Sequence, residues 1–414
     1  MRVLVSAYAC EPGKGSEPGV GWSWAREIAR FHEVWVITRA NNREPIEKTL
    51  TKEPLPNVHW VYFDLPRWTR FWKNGTRGLH FYYLLWQFGA YLVARTLHRK
   101  ISLDLVHHVT FGTYWMPSFL SLLPVPFVWG PLGGGESGPR SFRSSLSLRG
   151  KFYELLRDLV RTLSHLNPIV RLSAQRALIA LSKTEATKNE LRFLGAPRVL
   201  AYSEVGLGAD EIHRLNNMPF RQGGPFRLIS LGRLLHWKGF HLGLSAFAEF
   251  HRQFPGSDYW IIGDGPERKR LENLAAKLGV AESVRFWGSL ARAQVLEKLL
   301  ECDVLVHPSL HDSGGWVCVE AMAAGRPVIC LDLGGPAAQV TEQTGIKVLA
   351  LSPEQAVRDL AAAMSQLAFD PLHRQRLGEA GRRHACECFG WEKKIDFISE
   401  MYSGIASESH GQVC

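Results

Sequence analysis

The sequence predicts an α/β protein of two Rossmann-like domains, each a parallel sheet covered by helices. Three observations carry that expectation. Strand-like and helix-like segments alternate along the whole 414-residue chain, as parallel strands joined by helical crossovers require. The alternation runs as two successive series, with the change near Arg214 to Phe226, a Gly-, Pro- and Asn-bearing linker. Glycines, cations and acids gather where strands of the second series end, which is where open parallel sheets bind ligands. The expected division is 1–213, 214–385, and a closing helical segment over 386–414.

Taken in order, the first series reads MRVLVSAYA as strand, VGWSWAREIARF as helix, and HEVWVITR and NVHWVYFDL as strands. FYYLLWQFGAYLVARTLHRK follows as helix, LDLVHHV as strand, WMPSFLSLL as helix and PVPFVWG as a buried strand. Short β-branched and aromatic runs mark the strands, and apolar residues at three- and four-residue spacing mark the helices. A long helical region precedes ALIALS as strand and KTEATKNELRFLG as helix. The second series places strands at FRLISLGR, DYWIIGDG, VRFWG, DVLVHPS and PVICLD, with helices between them and after the last.

Composition bounds the class. Forty-six per cent apolar and 21 per cent charged residues are ordinary for a globular chain. A net charge of +10 favours an anionic partner without choosing among nucleic acid, acidic lipid and phosphorylated small molecules. Seven scattered cysteines (Cys10, Cys302, Cys318, Cys330, Cys386, Cys388 and Cys414) fit reduced thiols in a cytosol better than a disulfide framework. The amino-terminal apolar run is too short for a signal peptide, and no segment reaches membrane-spanning length without polar interruption.

The most specific chemistry lies in HPSLHDSGGWVCVEAMAAGRPVICLD. An acid, Asp312, precedes a Gly-Gly pair, and a second acid, Glu320, stands eight positions on, where the helix is expected to begin. Amides at a helix start attract anions, and glycines let a phosphate come close. Upstream, LGRLLHWKGF sets Arg233 and Lys238 beyond a strand end, where two cations can neutralise a diphosphate. GDGP adds Gly263, and VRFWG adds Gly288. After the first strand, ACEPGKGSEPGVGW carries Gly19 among four glycines, in a loop facing phosphate or acceptor or else an ordinary flexible turn. Its spacing is wrong for a dinucleotide fingerprint.

Together these motifs resemble the retaining glycosyltransferases of the GT-B fold, family GT4, closely over Phe226 to Gly335 and more thinly elsewhere. The resemblance implies two domains facing a cleft, a donor sugar nucleotide on the second, an acceptor on the first, and a closing helix that crosses back. It further implies that Arg233 and Lys238 bind the donor diphosphate and that Glu320 takes the ribose hydroxyls. Gly315 and Trp316 would offer amides to phosphate or sugar, with Gly19, Gly263 and Gly288 lining the donor. Asp312 stands where the family has a Glu, one methylene longer, which puts the identity of the sugar in question.

His107 matches the first histidine of a family strand-end pair, with His108 beside it and Val109 in the second position. It is expected to contact a substrate hydroxyl or to act as acid-base, although a satisfied structural histidine fits the same position. Two basic stretches, Leu65 to Gly78 and Pro139 to Arg161, suit an anionic membrane surface or else a solvated basic face over a Trp-rich core. No nucleic-acid module is evident. The expectation is therefore a cytoplasmic, metal- and cofactor-independent transferase, peripheral on the inner membrane face. It would move a hexose-type sugar from a UDP- or GDP-sugar to a glycan or lipid-linked precursor. A silent sugar-nucleotide-binding scaffold and an NAD(P)-dependent oxidoreductase are the alternatives.

Overall fold

The computed structural model describes residues 1–69 and 78–411. Most of the basic aromatic stretch at Leu65 to Gly78, and Cys414, lie outside them. The chain forms two compact units, one of residues 1–135, 157–206 and 394–414, the other of 136–156 and 207–393.

The first unit is built on a seven-stranded sheet: β1 (Arg2–Ala7), β2 (Glu33–Thr38), β3 (Val58–Tyr62), β4 (Leu105–Thr110), β5 (Phe127–Leu132), β6 (Ile179–Ser182) and β7 (Val199–Ala201). Its order is β3-β2-β1-β4-β5-β6-β7, and every pairing is parallel. β4 and β5 are buried at every residue, as strands covered on both faces must be. The Leu79–Ile101 helix buries Tyr82, Tyr83, Trp86, Ala90 and Ala94 at three- and four-residue spacing against this sheet.

The second unit carries six parallel strands, β8 (Arg227–Leu231), β9 (Asp258–Ile262), β10 (Val284–Gly288), β11 (Val304–His307), β12 (Val328–Leu331) and β13 (Gly345–Val348). Their order is β10-β9-β8-β11-β12-β13, so the winding direction reverses between β8 and β11. A ligand crevice forms at that reversal in such sheets.

Four local expectations fail for identifiable reasons. WMPSFLSLL makes only a 3-10 turn at Phe119–Leu122, because Pro124 holds Leu123 extended and stops it. The first helix starts at Ser16, so Gly19 and Gly21 are helical and not loop residues. There a Cβ would meet the Lys14 and Ala9 carbonyl oxygens at 2.1 Å, so both glycines serve close packing of that helix on its own preceding loop. β7 and β13, three and four residues long, are too short to register as periodic patterns.

His107 departs most from its expected role. It is fully buried, its Nε2 2.7 Å from the Gly130 carbonyl oxygen and its Nδ1 on the Tyr402 hydroxyl. A carbonyl can only accept, so Nε2 carries the proton and Nδ1 accepts from Tyr402. Burial pulls its pKa down to about 3, keeping the ring neutral. With both nitrogens engaged, His107 ties β4 to the Trp391–Gly411 helix and offers a substrate no open atom in this arrangement. His108 is likewise buried, between Tyr83 (3.1 Å) and Ser118 (2.9 Å). Tyr402→Phe strands the Nδ1 acceptor and is expected to cost about 1–2 kcal/mol, read as a lower urea midpoint with an unchanged slope.

Candidate functional site

The strand-end loops of the second unit are packed so closely that side chains beyond hydrogen are excluded at several points. Gly239 has φ +67° and a Cβ there would sit 1.8 Å from the Pro308 carbonyl oxygen. At Gly263 it would meet the Gly232 oxygen at 1.9 Å, with φ +136°. Backbone bonds join the same loops: Leu234 N to Asp264 O (3.0 Å), Leu310 N to Trp237 O (2.8 Å) and Gly335 N to Asp312 O (2.7 Å). Gly263 N donates to Gly288 O at 2.8 Å. The two glycines singled out as donor-binding thus already bond one another at adjacent strand ends.

Asp312 and Lys238 meet in this tightly packed layer. The Lys238 ammonium contacts Asp312 Oδ2, and His307 Nε2 lies 3.1 Å from the same oxygen. The other oxygen faces the amides of Gly314 (3.3 Å) and Gly315 (3.5 Å). Burial opposes ionisation of Asp312, but Lys238 and then His307 outweigh it, holding the carboxyl well below the usual range. Lys238, read from sequence as a cation awaiting an anion, therefore has an internal one. The Gly315 amide, read as a ligand donor, faces Asp312 in the same way.

Arg233 differs. It is exposed at the end of β8, and its guanidinium forms no ion pair among the described residues.

Glu320 sits on the fifth residue of the Trp316–Ala323 helix, a turn later than the sequence suggested. Gly315, at φ +59°, precedes that helix. The Glu320 carboxylate is buried, with Arg292 2.5 Å from its Oε1, and the same guanidinium reaches Glu211 Oε1 at 2.5 Å. The Arg292 contact is an ion pair whose angle leaves Oε1 without a well-formed hydrogen bond. Burial raises the Glu320 pKa to about 7, against the pull of Arg292, and Glu211 adds to the rise. Trp316 leaves its indole N–H buried without a partner among the described residues.

Sequence reading missed Arg292, Glu211 and His307. Arg292 lies on a helix with an ordinary charged pattern, and only the fold brings it to Glu320. His307 was within the strand DVLVHPS and carried no distinguishing spacing. The Gly133–Gly135 loop packs internally: Gly133 N donates to Gly112 O (2.8 Å) and Gly135 N to Thr187 Oγ1 (3.0 Å).

The raised Glu320 pKa has a stability consequence. The folded protein holds that proton more tightly than the unfolded chain, whose ordinary value is 4.5. Its stabilisation is complete below the unfolded value and lost as pH climbs through about 7. Glu320→Gln removes the titration, so its melting temperature is expected to gain on the parent's between pH 5 and pH 8. A gap that stays flat over that range contradicts the assignment.

Residues 216–384 match the family described as glycosyl transferases group 1. Glycogen synthase of Mycobacterium tuberculosis is 33% identical over 180 residues, 43% of this chain and 42% of that protein. The lipopolysaccharide core biosynthesis glycosyltransferase LpsD of Rhizobium meliloti is 33% identical over 182 residues, 44% of this chain and 50% of that protein. The alignments thus span half or less of these relatives' length. In fold, the chain is similar to Anabaena Alr3699/HepE, solved in complex with UDP and glucose, with a TM-score of 0.62 at 17% identity. That likeness covers 98% of this chain and all of the other. The two-sheet α/β architecture is that of GT-B proteins, and residues 216–384 are similar to the glycosyl transferases group 1 family.

Proposed function

We propose that this protein is a retaining glycosyltransferase that moves a hexose-type sugar from a UDP- or GDP-sugar to a glycan or lipid-linked glycan precursor. Cell-surface polysaccharide synthesis at the cytoplasmic membrane face is the proposed setting. The observation that carries the reading is the pairing of an open cation, Arg233, with the Lys238–Asp312 couple at strand ends beside the reversal of the sheet. The family match over the same residues supports it. So do the lipopolysaccharide role in LpsD's name and the UDP and glucose bound to HepE.

On this reading Arg233 and Lys238 meet the donor diphosphate. Negative charge grows there as the glycosidic bond breaks, so cations fixed beforehand favour the transition state over the ground state. Asp312, its carboxylate held ionised, accepts from a sugar hydroxyl, and Glu320 takes the ribose hydroxyls. The acceptor, held by the first unit, attacks from the face the nucleotide leaves, and a phosphate oxygen takes its proton. Gly19, Gly263, Gly288 and His107 act on this reading only by packing.

A silent sugar-nucleotide-binding scaffold is the second reading, favoured by one observation: Lys238 is already occupied by Asp312. A panel of nucleotide sugars, scored by thermal stabilisation and by donor hydrolysis, separates the two. The transferase reading expects one donor to both stabilise and turn over, with Arg233→Ala cutting turnover about 100-fold. Glu320→Ala is expected to weaken donor binding about tenfold, the loss of a charge-assisted hydrogen bond. Unchanged activity in both variants sinks the assignment, and stabilisation without turnover selects the scaffold.

A further inference from the structure

Within the second unit, a cavity of about 140 Å³ is lined by three arginines, Arg221, Arg326 and Arg374, and one acid, Asp303. Asp303 precedes β11, Arg326 precedes β12, and Arg221 lies on the approach to β8. The cavity therefore stands at the amino-terminal edge of the sheet, opposite the edge that carries the Lys238–Asp312 couple. Arg374 comes from the first turns of the Pro371–Phe389 helix.

The one acid does not balance the arginines. Asp303 Oδ2 accepts from Arg221 Nη1 at 2.5 Å and from the Arg227 amide at 2.8 Å, which closes that pair. Arg326 is 2% exposed and forms no ion pair among the described residues. Its Nε donates to the Leu299 carbonyl at 3.1 Å, and its Nη2 to those of Pro219 (2.9 Å) and Leu300 (3.0 Å). Its Nη1 forms no hydrogen bond among the described residues. Arg374 has one carbonyl partner, Leu367, at 2.5 Å, and likewise no ion pair among them. A fourth arginine, Arg382, stands against Gly325, where a Cβ would sit 2.5 Å from its Nε. That Nε is buried with no partner. Asp370, which also acts on Arg374, caps its own helix through the His373 amide at 2.8 Å.

The Leu299 and Leu300 carbonyls, at the end of the Arg292–Leu300 helix, carry only partial negative charge. A guanidinium taken out of water ordinarily has a full counter-charge beside it. Burial pulls the Arg326 pKa down to about 10 against Asp303, and burial lowers Arg374 and Arg382 as well. The group that would complete this cluster is therefore an anion. It is also a small one. Pockets for drug-sized ligands run to about 300–1,000 Å³, and a water occupies about 30 Å³, so the cavity suits a group of a few heavy atoms. Exposed Gln222 and Gln375 also line it, which gives it access to solvent. Guanidinium forks match phosphate oxygens in charge and direction.

We propose that this cavity binds a phosphate group on Arg326 and Arg374, as an anion site of the second unit apart from the one read as the donor site. The proposal goes beyond the transferase reading and does not depend on it. The test is isothermal titration calorimetry on the full chain carrying Arg233→Ala, which removes the open cation of the candidate donor site. Inorganic phosphate and methyl phosphate are titrated at an ionic strength fixed with sodium chloride. About one phosphate per chain is expected to bind, and Arg374→Gln to weaken it about tenfold, the loss of one charge-assisted contact. Gln222→Glu sets a carboxylate at the exposed side of the cavity. It is expected to abolish phosphate binding while raising the melting temperature in phosphate-free buffer. Tighter binding of methyl phosphate assigns the site to a phosphate monoester, and tighter binding of inorganic phosphate assigns it to the free ion. No binding, or binding that Arg374→Gln leaves unchanged, overturns the proposal. Where Arg374→Gln fails to fold, Gln222→Glu decides by the same criterion.

Discussion

The geometry of the candidate site depends on the ion pair between Lys238 and Asp312. Removing a carboxylate and an ammonium from water costs several kcal/mol each, and their attraction offsets this only when other polar groups complete the shell. Here His307 shares the carboxylate oxygen that Lys238 contacts, and the amides of Gly314 and Gly315 face the other. The result is an acid fixed in charge and direction at the end of β11, beside the place where the sheet reverses. Arg233, at the end of β8, and Glu320, on the helix after Asp312, take their positions from the same strand ends.

What holds that shell is backbone and not side chain. Gly239, Gly263 and Gly334 each adopt positive φ, and at each a Cβ would meet a neighbouring carbonyl oxygen at 2.4 Å or less. Such contacts cannot relax by rotating a side chain. A larger residue at any of them shifts a loop and with it Lys238 or Asp312. The glycines of this region therefore define the site by bringing loops together, a role distinct from making room for a phosphate.

This distinction explains what the sequence could and could not disclose. Strands and crossovers were legible because burial on both faces writes continuous apolar runs, and the positions of Arg233, Lys238 and Asp312 beyond strand ends were legible from motif spacing. Gly19 misled because a glycine packed inside a helix and a glycine in a flexible loop are the same letter, and Ser16 begins the helix without an apolar period to announce it. Arg292 was invisible: it and Glu320 stand on different helices with β11 between them in the chain, and only the fold brings them together. The passage of residues 136–156 into the second unit was missed too, since the basic stretch from Pro139 to Arg161 was read for its charge and not as a boundary. His107 shows the converse limit. Its strand-end position was right for chemistry, and only the closing helix, delivering Tyr402 from 295 residues away, fills its remaining nitrogen.

The two acids of the opening motif end in opposite electrostatic states, and that contrast bears on how a diphosphate would be received. Asp312 stays charged because Lys238 is against it, so the couple presents little net charge to an approaching anion. Burial raises the Glu320 pKa to about 7 despite Arg292, so it carries less negative charge near neutral pH than an ordinary glutamate and repels an anion less. The long-range attraction is then left to Arg233, which forms no ion pair among the described residues. At contact the balance changes, because a phosphate oxygen approaching Lys238 competes with a carboxylate already secured by His307 and by amides. Lys238 can turn part of its three-donor head outward without leaving Asp312 unsatisfied. On the proposed reading a diphosphate first meets Arg233 and gains Lys238 only on arrival, which would tie full charge compensation to its correct placement.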